Sequence, residues 1–119
     1  MRYYDGKGNV ITFDEALELA RQRGACDEVM DLIESLGEGE TLRHKCAREW
    51  ICWYAYNVIG GRWIEAEDVI CKDAKWAYWY SRFVIRGRWI EAEDVICKDV
   101  KLAAWYAYNV SDTDKQMEI

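Results

Sequence analysis

Thirteen residues occur twice, letter for letter. Gly61-Arg62-Trp63-Ile64-Glu65-Ala66-Glu67-Asp68-Val69-Ile70-Cys71-Lys72-Asp73 returns as Gly87 to Asp99, 26 residues later. A verbatim repeat at this period signals stacked helical units, none of which buries its apolar face alone. The register extends beyond the identical segment. Trp53-Tyr54-Ala55-Tyr56-Asn57-Val58 recurs as Trp105 to Val110, 52 residues on, and Trp79-Tyr80-Ser81-Arg82-Phe83-Val84 holds the middle place. Tyr54, Tyr80 and Tyr106 are therefore equivalent, as are Trp53, Trp79 and Trp105. Ala77, Tyr80 and Val84 fall three and four apart, which is one helical face.

The spacing predicts three long helices, at about 42–59, 74–85 and 100–110. The repeated segment supplies a short helix, Ile64 to Ile70, of about two turns. Glu65, Glu67 and Asp68 suit its positive N-terminal end. Asp73 and Asp99 stand where an N-cap is needed for the long helix that follows. Trp and Ile in the segment serve packing. Arg62 with Glu65 or Glu67, or with a neighbouring unit, serves as a latch.

Upstream of the array the local signals change. Arg2-Tyr3-Tyr4 and Asn9-Val10-Ile11 flank Asp5-Gly6-Lys7-Gly8, which predicts a β-hairpin. Thr12-Phe13-Asp14-Glu15 is a capping box opening a helix that Gly24 ends. A second helix runs from about Asp27 to Leu36, closed by Gly37 and Gly39. The expected fold is mostly α: a short α-solenoid of helix–turn–helix repeats, preceded by a small hairpin and two helices. It forms a single domain over 1–119, with hairpin and capping helices in 1–40, repeats in 41–112 and a flexible tail in 113–119. With 51% apolar residues, a core is within reach, and no Pro interrupts a helix.

At this point a resemblance can be placed. Gly-Arg-Trp-x-Glu-Ala-Glu-x-x-Ile, followed by a helix of the Ala-x-x-Tyr-Ala-x-x-Val-Ile type, resembles the short tandem helical repeats of phage and prophage proteins. It covers roughly residues 42–110. Those repeats often carry Pro after the Trp and at helix starts, where this chain has Ile64, Ile90, Asp68 and Asp94. The resemblance implies a helical scaffold and a phage origin, hence a bacterial cytoplasm as its place of action. It implies no reaction.

Charge and cysteine usage narrow the function classes. The net charge is -6, so direct binding to nucleic-acid phosphate is not expected. No apolar run approaches the ~18 residues of a membrane span. Five cysteines, an odd number, with no secretory leader predict reduced thiols. No Cys-x-x-Cys pair exists, and His44 and Cys46 lie too close on a helix to share a zinc ion, so no metal and no cofactor is expected. Neither a nucleophile elbow nor a phosphate loop is present. Glu65 and Glu67, like Glu91 and Glu93, point about 200° apart on a helix and cannot flank one substrate.

Aromatic residues carry the remaining signal. Tyr54, Tyr80 and Tyr106 belong to the core. Trp53, Tyr56, Tyr78, Trp79, Trp105 and Tyr108 form the candidate partner surface with Arg82, unless the hairpin and first helices cover them. Glu65, Glu67, Asp68, Glu91, Glu93 and Asp94 are the candidate acidic contacts. The expected function is a phage-encoded, non-enzymatic module that binds a host protein or complex. Its concrete form is an anti-CRISPR-type inhibitor of nucleic-acid-handling machinery, acting by occluding or mimicking nucleic acid. The alternative is a structural repeat protein that self-associates as a homo-oligomer through its open C-terminal unit. A small hydrolase using His44 ranks last.

Overall fold

The computed structural model describes residues 1–44 and 46–111, apart from the side chains of Cys46 and Ser111; the expected tail at 113–119 lies outside them. The protein is mostly helical, with a two-stranded antiparallel sheet at its N-terminus. Strands β1 (Tyr3–Tyr4) and β2 (Val10–Ile11) pair Tyr3 with Ile11 and Tyr4 with Val10. The Asp5 carboxylate closes the turn, accepting from the backbone N–H groups of Lys7 and Asn9 and from the Asn9 amide. Those bonds favour its charged form and hold its carboxyl below the usual range.

Helix α1 (Phe13–Gln22) starts at Thr12, whose Oγ1 accepts from Glu15 N at 3.1 Å while Glu15 Oε1 accepts from Thr12 N at 3.0 Å. The capping box is therefore complete. At the other end Gly24 takes φ 92°, Ala25 N donates to Ala20 O and Gly24 N to Arg21 O. These two bonds form a Schellman stop, and they need a residue that tolerates the left-handed region. Helix α2 spans Asp27–Arg43 but is broken at Gly37 (φ 75°, ψ 172°). Gly37 thus interrupts the helix as expected, whereas Gly39 sits inside a further turn that runs on to Arg43. The first long helix accordingly begins at Cys46, later than the expected position 42, because His44 is extended (φ -77°, ψ 147°).

Three long helices follow in register. Helix α3 (Cys46–Tyr54) continues as a π turn, Ala55–Ile59. Helix α5 (Ala74–Tyr80) continues as Ser81–Ile85, and α7 (Val100–Tyr106) as Ala107–Ser111. Between them lie α4 (Glu67–Ile70), entered through a 3-10 turn at Ile64–Ala66, and α6 (Ile90–Ile96). Asp73 and Asp99 cap α5 and α7, accepting from Trp76 N and Leu102 N at 3.1 Å each. The first two wide turns end alike. Gly60 N donates to Ala55 O and Arg86 N to Ser81 O, five residues back, and Gly60 and Arg86 both take positive φ. Ala55 and Ser81 are fully buried, so only a small side chain fits where that carbonyl is bonded.

Each long helix packs on the next, α3 on α5 and α5 on α7, and each short helix packs on the long helix before it. The hairpin stands in for a unit at the front of this series. Tyr54 Oη donates to Tyr4 O and Trp63 Nε1 to Arg2 O, both at 2.8 Å. Tyr3, Phe13, Trp50, Tyr54 and Trp63 form one ring cluster, with centroids 5.3 to 6.4 Å apart. Burying large aromatic area in tilted and edge contacts gives a small domain most of its hydrophobic stabilisation.

Candidate functional site

The repeated segment builds a joint. Arg62 donates through Nε and Nη2 to both oxygens of Glu67, at 2.9 and 2.7 Å. Tyr80 Oη, arriving from α5, donates to Glu67 Oε2 at 2.7 Å and accepts from the buried Trp63 N at 2.7 Å. The second copy repeats every bond: Arg88 grips Glu93 at 3.1 and 3.0 Å, Tyr106 Oη donates to Glu93 at 2.6 Å, and Trp89 N donates to Tyr106 Oη at 2.9 Å. Arg88 and Tyr106 together hold the Glu93 carboxyl below its ordinary range. Burial, followed by the bond to Glu93, pushes Tyr106 up to about 12. The Arg–Glu latch was legible from the repeat. The tyrosine hydroxyl was not, because it arrives from 13 residues downstream and satisfies a backbone donor.

This geometry sorts the acidic candidates. Glu67 and Glu93, named as candidate partner contacts, are half-buried and held in the joints by Arg62 and Arg88. Glu65 is exposed but accepts from Tyr4 Oη. Asp68, Glu91 and Asp94 remain exposed on the short helices.

The aromatic candidates divide as well. Tyr78, named as a candidate surface contact, is buried, with 8% of its surface exposed, and ties two units together. Its ring lies 6.2 Å from that of Trp105, and its hydroxyl accepts from Arg82 Nη1 at 3.2 Å and Asn109 Nδ2 at 3.1 Å. Trp53 is half-buried against the α1–α2 connection, beside Ala25, Val29 and Met30. Tyr56 is 46% exposed and meets the edge of Trp79 at 5.7 Å. Trp79 in turn contacts Trp76 at 6.1 Å and Phe83 at 5.1 Å. Cations lie over both ends of this row: Lys75 Nζ is 5.0 Å from the Trp76 ring and the Arg82 guanidinium 4.9 Å from Phe83. The sequence had not placed Trp76 and Phe83 at the surface. Their signal was that they differ between units, as Trp76/Leu102 and Phe83/Asn109.

A groove of about 440 Å³ runs beside the ladder, lined by Tyr56, Gly60, Gly61, Phe83, Val84 and Arg86. Rings that are half-exposed yet held edge to face have little rotamer freedom to lose on binding, which favours their use as contact anchors. Exposed aromatic and Arg side chains are the residue types enriched at the energetic centres of protein interfaces. A larger hollow of about 580 Å³ lies between the hairpin and α1, lined by Asp5, Asp14, Glu15 and Glu18 among others, away from the ladder. Among the described residues, no three His, Cys, Asp or Glu side chains converge as a metal site. No helix among them is long and apolar enough to cross a membrane. Comparison with family models finds no match, and neither curated proteins nor solved structures give one.

Proposed function

We propose that the repeated joints and helix contacts make a short α-solenoid, and that the protein is a phage-encoded, non-enzymatic module which binds a host protein. The observation that carries this is the aromatic ladder in which Tyr56, Trp76 and Phe83 all meet Trp79, flanked by Lys75, Arg82 and Arg86 and bordered by a groove. It is a partly exposed set of aromatic rings held in contact with one another and flanked by cations. The target we favour is a host machine that handles nucleic acid, in the manner of an anti-CRISPR protein. Because Glu67 and Glu93 are held inside the joints, covering a functional surface is favoured over copying a phosphate backbone.

The test is affinity capture from bacterial host lysate, read by mass spectrometry, with the parent chain and with Trp79→Ala. Retention of a nucleic-acid-handling complex by the parent, lost in Trp79→Ala, is expected. Equal retention by both would remove the ladder from the interface. Capture that persists unchanged at high salt is expected of an apolar ladder. Loss of capture as salt rises would instead give the main role to charged contacts, either the flanking Lys75, Arg82 and Arg86 or the exposed acidic residues.

A further inference from the structure

The three long helices present equivalent positions to the unit that follows. On α3 these are Arg48, Cys52 and Tyr56, four residues apart on one face. All three meet the next unit: Arg48 Nη1 lies 3.7 Å from Asp73 Oδ2, Cys52 Sγ donates to Trp76 O at 3.8 Å, and Tyr56 meets the Trp79 ring. On α5 the equivalents are Ala74, Tyr78 and Arg82. Ala74 packs against the core, and Tyr78 takes the ring of Trp105, the Asn109 amide and Arg82. On α7 the same positions are Val100, Ala104 and Tyr108. Here the face is bare: Val100 is 84% exposed, Tyr108 75%, and Ala104 is exposed between them. Neighbouring Trp105 is 49% exposed. A solvated face of a stacked array is ordinarily polar. Among the described residues, α7 turns Val, Ala and Tyr outward.

We infer that a second copy of this chain occupies that face, pairing α7 with α7 about a two-fold axis at Ala104. This stands apart from the partner-binding ladder, which lies on α3 and α5. Three points on the page support a second copy. The face continues the interface by which successive units already stack, so its natural occupant is another long helix of this kind. The hairpin and α2 already pack on the first unit, through Tyr54 to Tyr4, Trp63 to Arg2 and α2 on α3, so among the described residues the place a preceding unit would take is filled. Finally, the pattern is self-complementary in an antiparallel pair: Ala104 meets Ala104 of the second copy where the helices come closest, and Val100 meets the ring of Tyr108 at either end. A two-fold interface requires this reciprocity of positions. A contact of two short helices is smaller than the ~800 Å² per partner of a standard interface, so a weak dimer, seen only at high concentration, is expected.

Sedimentation equilibrium at several loading concentrations up to about 500 µM tests this, on the full chain. The parent chain is expected to approach twice its monomer mass. Ala104→Glu and Ala104→Lys should each remain monomeric, since each places like charges against each other on the axis. An equimolar mixture of the two should recover the dimer, because only a position that faces itself restores attraction on mixing. Ala104 is exposed on a helix, so circular dichroism should be unchanged in both. Val100→Ser with Tyr108→Ser should weaken dimerisation at least tenfold with no charge introduced. A parent chain that stays monomeric throughout would overturn the inference and leave the face to a foreign partner. Dimers of Ala104→Glu alone, or no recovery on mixing, would place any self-association elsewhere and overturn it equally.

Discussion

Two hydroxyl groups and two carboxylates, Tyr80 with Glu67 and Tyr106 with Glu93, hold the joints. Each hydroxyl accepts from a buried backbone N–H that has no helix or strand to satisfy it, and each donates to a carboxylate already held by Arg. Tyr106→Phe should therefore cost about 1–3 kcal/mol in urea denaturation, because it strands Trp89 N in a buried site as well as breaking one bond. A loss below about 0.5 kcal/mol would mean that water reaches that N–H. Tyr106 also sets a pH limit. Its folded pKa is raised to about 12, so the neutral phenol is favoured in the native state. Its contribution is fully present below the unfolded value of about 10 and is lost as pH rises towards the folded value. Unfolding followed by circular dichroism should thus begin above about pH 10, and Tyr106→Phe should flatten that limb. Glu93 works at the other end of the scale. Its depressed pKa gives stability that is present above about 4.3 and is lost as pH falls through the folded value. Arg86 is the strained residue. Among the described residues it is the one non-glycine at positive φ (60°), where the preceding unit has Gly60. Arg86→Gly should raise stability by about 0.5–1 kcal/mol, the steric relief exceeding the added unfolded-state entropy. A drop in stability would show that the guanidinium itself holds the turn.

Helix boundaries divide into those the chain announces locally and those it does not. Thr12, Glu15, Asp73 and Asp99 act within three residues of themselves, and each caps the helix that its spacing predicts. Asp99→Ala should lose about 1 kcal/mol, the usual worth of such a cap. Asp73→Ala should lose a similar amount, since its contact with Arg48 is partly exposed and adds only tenths. The experiment is a pair of denaturation curves; a much larger loss for Asp73 would make the Arg48 contact a structural tie. The π turns were not legible. They depend on which carbonyl the left-handed residue reaches, and nothing in Ala55–Ile59 distinguishes a bond five residues back from one four back. The burial of Tyr78 was hidden for a different reason. A position on a long helix is covered or bare according to whether another unit follows, so Tyr78 and Ala104 are equivalent in sequence register and opposite in exposure.

For the whole molecule, the period of 26 residues sets the order of the units, and the two joints hold the same bonds. The surface was harder to read than the scaffold. Repetition identifies what joins units, while the ladder around the shared Trp79 and the bare face of α7 are made by residues at which the units differ, such as Trp76/Leu102, Phe83/Asn109 and Tyr78/Ala104. The identity of the two joints then has a consequence for chain length. Gly60-Gly61-Arg62 and Arg86-Gly87-Arg88 enter interchangeable connections, so excising residues 61–86 leaves one intact joint and brings α7 onto Arg48, Cys52 and Tyr56. Such a chain should still fold cooperatively, with a lower urea m-value because less surface is exposed on unfolding. Failure to fold would show that the middle unit, with Tyr78 as its tie, is indispensable. If it folds, a recombination event between the two copies changes the reach of the molecule by one increment and leaves its joints intact. The number of units would then be a heritable quantity that varies without any point mutation.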